Sequence, residues 1–171
     1  MLRNFINIVG IAEPSQFPTL LPINPNIQHI VEEELLIPDA KPDVEQVNTV
    51  LIEATIKASR AIVTPVGLKI VVDGELNQKI IYTANDLVQS VHSAHFTEPF
   101  CTFIEVPLVL PVGLNVMEYL QLLGLTLDNV ITSPTKVLVE DVSVKLLDGR
   151  TIEKCTILFL WATINPALTP V

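Results

Sequence analysis

The chain has 171 residues, of which 49% are hydrophobic and 17% charged, and its 10 basic and 19 acidic side chains leave a formal net charge of −9. That length suits one domain with an appended arm, and the acidic balance argues against nucleic acid or an anionic membrane surface as a partner. So high an apolar share predicts that other chains cover part of the surface.

Residues 1–26 differ from the rest. MLRNFINIVGIAEP carries one cation, and Asn4 and Asn7 interrupt its apolar residues, so no signal peptide is expected. The whole chain lacks a run of about 18 apolar residues, so no transmembrane helix and no membrane insertion are expected. Pro14, Pro18, Pro22 and Pro25 exclude a regular helix or a central strand. Phe17, Leu20, Leu21 and Ile23 make the segment more apolar than a solvated linker. Residues 1–26 therefore read as an extended proline-rich arm lying along a surface, its own or a neighbour's, and residues 27–171 as the domain.

In IPDAKPDVEQV, from Ile37 to Val47, Pro38 and Pro42 fix φ and push the preceding residues towards extended geometry. Asp43, Glu45 and Gln46 then suit one exposed helical or 3₁₀ turn, and the stretch reads as a rigid loop at the entrance to a β-domain. In NTVLIEATIKASRAIVT, apolar Val50, Ile52, Ala54, Ile56, Ala58 and Ile62 alternate with polar Glu53, Thr55, Lys57 and Ser59. That period of two marks a half-buried strand. Pro65-Val66-Gly67 suits a three-residue hairpin loop. The next strand runs from Leu68 to Leu76, with a bulge expected at Asp73-Gly74, and continues through Ile80–Thr83. Val88–Thr97 and Phe100–Leu110 read as two further strands broken by Glu98-Pro99. Within residues 112–134, MEYLQLLGL fits either one helix or another strand.

Asp148-Gly149 predicts a two-residue hairpin turn. One face then holds Leu138, Val142, Val144 and Leu146 with Cys155, Ile157, Phe159 and Trp161, and reads as the core face. The other is polar near the turn (Ser143, Lys145, Lys154, Thr156) and apolar further away, at Val137, Val139, Leu158 and Leu160. Something must cover that apolar end, either the arm or another subunit. Phe17, Leu20, Leu21 and Ile23 with Val137, Val139, Leu158 and Leu160 are accordingly the expected interaction residues, each arm docking on a neighbour. Seven or eight strands give an all-β fold, a jelly-roll-like β-sandwich.

The chemical candidates are weak. His92 and His95 sit three apart in VHSAHF, so on a strand they face opposite sides and cannot share an ion without a bulge. Cys101 with either histidine lacks an orienting acid and an oxyanion loop. Asp39, Asp43 and Glu45 lack EF-hand spacing, and the 6 glycines are spread singly, with no phosphate loop. Aromatic residues at 5% disfavour a carbohydrate platform of stacked rings. No catalytic residue, cofactor or metal is expected. Cys155 is expected buried opposite Val142. Cys101 has apolar neighbours on both faces, and an intermolecular Cys101–Cys155 bond stays open.

IPDAKPDVEQV, VDGELNQKIIYTA (Val72–Ala84), QSVHSAHFTEPFCTFIEVP (Gln89–Pro107) and EDVSVKLLDGRTIEKCTIL (Glu140–Leu158) together resemble the SPOCS domain family of spore-forming Firmicutes. GIAEPSQFPTL resembles the lead-in of its short stand-alone members. KPDVEQV and SVHSAHF are specific as a pair. The resemblance implies a structural or partner-binding domain without known catalysis, at the spore coat or spore surface, made in the mother-cell cytoplasm without a signal peptide. Some clostridial members end in a LysM peptidoglycan-binding module, which this chain lacks. Self-assembly into a homo-oligomer, a fibre or a lattice, with other spore coat proteins as further partners, is then the simpler role. The alternative is a monomeric adaptor docking a morphogenetic protein.

Overall fold

The computed structural model describes residues 5–170, so Met1 to Asn4 of the expected arm lie outside the described residues. Among the described residues, seven strands form two sheets. They are β1 (Asn7–Val9), β2 (Asn26–Leu36), β3 (Val44–Thr64), β4 (Gly67–Ala84), β5 (Val91–Glu105), β6 (Ile131–Leu146) and β7 (Thr151–Ile164). One sheet has the order β1-β3-β4-β5 and the other β2-β7-β6. The fold is all-β, as the period-two segments predict, with one short α-helix among the described residues, α1 (Val116–Leu122). α1 resolves the helix-or-strand alternative for MEYLQLLGL. Asn115 caps it, accepting from the Glu118 amide while the Glu118 carboxylate accepts from the Asn115 amide.

The meander β3-β4-β5 follows the predicted alternation, with local differences. β4 buries every second residue along its length. Its Gly74 lies opposite a bulge in β3, where the register slips between Ile56 and Ala58. A Cβ at Gly74 would meet Phe100 Cζ at 2.4 Å, so the missing side chain makes room for the ring of its cross-strand neighbour. The β3–β4 turn has two residues, Pro65 and Val66, rather than three, and Gly67 takes the positive φ at +128°. Asp43–Gln46 is not a helical turn, because β3 starts at Val44.

Glu98-Pro99 does not break a strand: β5 runs through it and ends at Glu105, short of the expected Leu110. The Val106 amide donates to Leu68 O and the Ala84 amide to Ser90 O. Hydrogen-bonded pairs in an antiparallel ladder recur every two residues, so even-numbered β5 residues bond to β4 and odd-numbered ones point to the open edge. Pro99 therefore sits where the missing N–H costs no ladder bond and where it hinders strand addition by another chain. β2 has no counterpart among the predicted strands. Its Glu32-Glu33-Glu34 run masks the alternation, since Glu33 points into the core.

The last hairpin departs most from expectation. Its loop is Asp148-Gly149-Arg150, closed by Leu147 N donating to Thr151 O, and Asp148 Oδ1 accepts from the Arg150 and Thr151 amides, each at 2.8 Å. A bulge between Val139 and Asp141 absorbs the one-residue change of register. It also changes parity, so Val137 and Val139 before it and Val142, Val144 and Leu146 after it all face the other sheet. The core face of β7 is Ile152, Lys154, Thr156, Leu158, Leu160, Ala162 and Ile164. Cys155, Ile157, Phe159 and Trp161 form the outer face, which corrects the predicted assignment. Two inversions of the usual polarity explain it: an ion pair makes part of the inner face polar, and the arm makes part of the outer face apolar.

Candidate interaction surfaces

The arm packs on its own domain. β1 pairs in parallel with β3, Ile8 opposite Val50. Gly10 brings the backbone so close to β3 that a Cβ would lie 2.0 Å from Ile52 O, and its φ is +121°. The chain then crosses to the second sheet, where Ile11 bridges Val139 and the Ala12 amide donates to Val139 O at 2.8 Å. Phe17 meets Phe159 edge-on, with ring centroids 5.7 Å apart, and Phe159 stacks at a tilt on Trp161. Ile23 O and Pro25 O accept from Ile164 and Ala162 of β7, leading into β2. The arm thus enters beside β6, crosses the outer face of the β2-β7-β6 sheet and leaves along β7.

The expected interaction residues therefore separate into three groups. Phe17 and Ile23 are half-buried against their own domain, while Leu20 and Leu21 are exposed. Val139, Leu158 and Leu160 are buried, and Val137 packs with them, in the core between the sheets. This corrects the reading of these four as an outward patch: the opposite sheet covers them, and the arm covers Phe159 instead.

A buried polar belt divides that core. Glu33 and Lys154 are directly paired across β2 and β7, with Glu33 Oε2 2.8 Å from Lys154 Nζ. Lys154 Nζ also donates to Thr156 Oγ1, and Gln78 Nε2 donates to Glu33 Oε1 at 2.8 Å. On one side lies the larger cluster around Ile70, Leu76, Leu158 and Leu160; on the other a smaller one around Ile37, Val50, Ile80, Tyr82 and Ile152.

IPDAKPD wraps around Arg150. Its guanidinium donates to the carbonyls of Ile37, Pro38 and Lys41 at 2.6–3.2 Å and to Asp43 Oδ1. Tyr82 Oη donates to Pro42 O at 3.0 Å, and burial holds this phenol above its ordinary pKa. The loop is a guanidinium receptor that ties the β2–β3 crossover to the β6–β7 turn.

His92 faces inward, stacked on Tyr82, with its Nε2 2.9 Å from Ser90 Oγ, while His95 lies on the outer face. Ser90 Oγ donates to Asp86 Oδ2 at 2.7 Å, so aspartate, serine and histidine assemble, but with the hydroxyl proton committed to the carboxylate. A nucleophilic serine needs the histidine to take that proton. Both cysteines are free thiols. Cys155 lies half-buried on the outer face opposite Ser143, not buried opposite Val142. Cys101 is exposed on β5 opposite Asp73, whose hydrogen bond raises the thiol pKa.

Two apolar features at opposite ends of β4 are absent from the expected set. The β4–β5 turn exposes Leu87, Val88 and Val91. At the other end a cleft of about 800 Å³ opens between the β3–β4 turn, the segment after β5 and α1, lined by Val63, Val66, Leu108, Leu110 and Met117. Their signal in the sequence is an apolar pair inside a turn, as in NDLVQS and TPVG. Among the described residues, no helix is long and apolar enough to cross a membrane.

Residues 26–147, the greater part of the chain, match the family model described as SipL, SPOCS domain. No curated protein and no solved structure matches the chain.

Proposed function

The chain belongs to the SPOCS domain family, and from that membership we propose that it is a non-enzymatic structural protein of the spore coat or surface that associates with copies of itself. The family is non-catalytic and brings a spore-related role. The observation that supports self-association is the exposed apolar surface. Leu87, Val88, Val112, Val109 and Val66 are each at least three-quarters exposed on a chain of net charge −9. Surface of this kind, gathered into patches, is what protein partners cover.

The test is sedimentation of the whole chain from about 10 µM to about 1 mM, a range that captures weak to moderate association, with electron microscopy of the same samples. A mass that rises with concentration supports the reading. A monomer throughout refutes it in favour of the adaptor that docks one morphogenetic partner. Immunogold labelling of spore sections tests the location, and label confined away from the coat and surface would refute that part.

A further inference from the structure

We propose that the contact between copies is head to tail: the β4–β5 tip of one chain seats in the β3–β4/α1 cleft of the next. The inference rests on the self-association reading and specifies its surface.

The tip and the cleft are the two ends of one strand. β4 begins at Gly67 in the cleft wall and ends at Ala84, whose amide closes the tip by donating to Ser90 O. Its 18 residues at about 3.3 Å each set the two sites on the order of 55–60 Å apart. The tip is convex and apolar: Leu87 is 105% exposed and Val88 82%. Asp86 fixes the turn by accepting from the Ser90 amide and hydroxyl, so the apolar pair is presented on a structured loop. The cleft is concave and apolar, walled by Val66, Leu110 and Met117, with Lys69 and Glu105 as its lining charges.

Charge does not oppose this pairing, because Lys69 and Glu105, directly opposite across β4 and β5, leave the cleft lining net neutral. Copies of net charge −9 repel, but the cleft lining carries one cation and one anion. Lys69 Nζ lies 4.0 Å over the Phe103 ring and has no ion-pair partner among the described residues. It can meet Asp86, the single charge of the segment from Asn85 to Val91. Two different patches at opposite ends make the contact heterologous, so it does not close on itself as a two-fold dimer would, and it propagates into a ring or a filament according to the rotation between successive copies.

The experiment uses full-length chains. Leu87→Asp with Val88→Asp disables the tip; Val66→Asp with Met117→Asp disables the cleft. Circular dichroism first checks that each variant is folded. Each variant alone is expected to lose every species above monomer, and an equimolar mixture to give a dimer and nothing larger, since one working tip then meets one working cleft. Assembly by either variant at the wild-type concentration overturns this interface and leaves self-association standing. Trimers or longer species in the mixture also overturn it. A wild-type chain that stays monomeric overturns both readings.

Discussion

At the level of single residues, the polar belt carries the largest energetic stake. Lys154 and Glu33 are both below one-tenth exposed, paired with each other and bonded to Thr156 and Gln78. Removing one partner leaves a buried charge uncompensated, so Lys154→Met is expected to destabilise the fold by about 3–5 kcal/mol, read from urea unfolding. Glu33→Leu with Lys154→Met removes both charges and is expected to recover part of that loss, but not all of it, because buried Gln78 and Thr156 are left without their partners. A double variant as weak as the single one would show that packing, not charge, dominates the site. His29 supplies a separate pH signature. It lies against Phe100, and burial lowers its pKa below 6.5. The unfolded chain therefore takes up this proton more readily than the folded one. The contribution of His29 is fully present above about pH 6.5 and is lost as pH falls through the folded pKa. His29→Leu is expected to narrow the stability difference between neutral and mildly acidic buffer, and an unchanged difference would remove His29 as its source.

At the level of elements, Arg150 holds the crossover loop to the last hairpin through three carbonyls and Asp43. Loss of charge-assisted hydrogen bonds costs about 1.5–3 kcal/mol, so Arg150→Ala is expected to weaken the fold by that order. Amide exchange at Lys41 and Val44 should then quicken more than exchange in β4. Arg150→Lys keeps the charge but not the planar fork, and is expected to fall in between. Uniform quickening across both sheets would mean that the loop has no local role. The strands β3 and β4 were legible because apolar and polar residues alternate on a half-buried sheet. β2 was not, because its inward Glu33 is neutralised by a residue 121 positions later. The faces of β7 were not legible either. Local alternation cannot tell a polar core belt from solvent, or an arm-covered aromatic row from a core. Of the expected interaction residues, the apolar character was correct, but burial by the opposite sheet is a long-range fact. The two apolar ends are not legible locally, because the residue types of a turn fix its conformation and leave its exposure to the surrounding fold.

At the level of the whole molecule, the arm decides what surface a single chain presents. It adds Ile8, Ile11 and Ile23 to the main core and lays Phe17 on Phe159. Those contacts are made within one chain, so an arm that bridges subunits would first have to leave them. Burying a large apolar side chain contributes about 1.5–3 kcal/mol. A chain lacking residues 1–17 loses several such contacts together with the β1–β3 pairing, but keeps both sheets and the belt. It is therefore expected to fold with a melting temperature lower by on the order of 10 °C, at about 2–4 °C per kcal/mol for this size. Trp161, the only tryptophan, touches Phe159 and reports the change directly. Its emission should shift to longer wavelength when the cover over Phe159 is gone. An unchanged spectrum and melting temperature would mean that the arm is not seated on its own domain in solution. The tip and the cleft lie at the two ends of β4, away from the outer face that the arm crosses. The truncated chain should therefore keep the concentration dependence of the full one in sedimentation. If truncation abolishes assembly while the remaining domain stays folded, the arm is the linker after all, and its seat on Phe159 is exchanged between subunits.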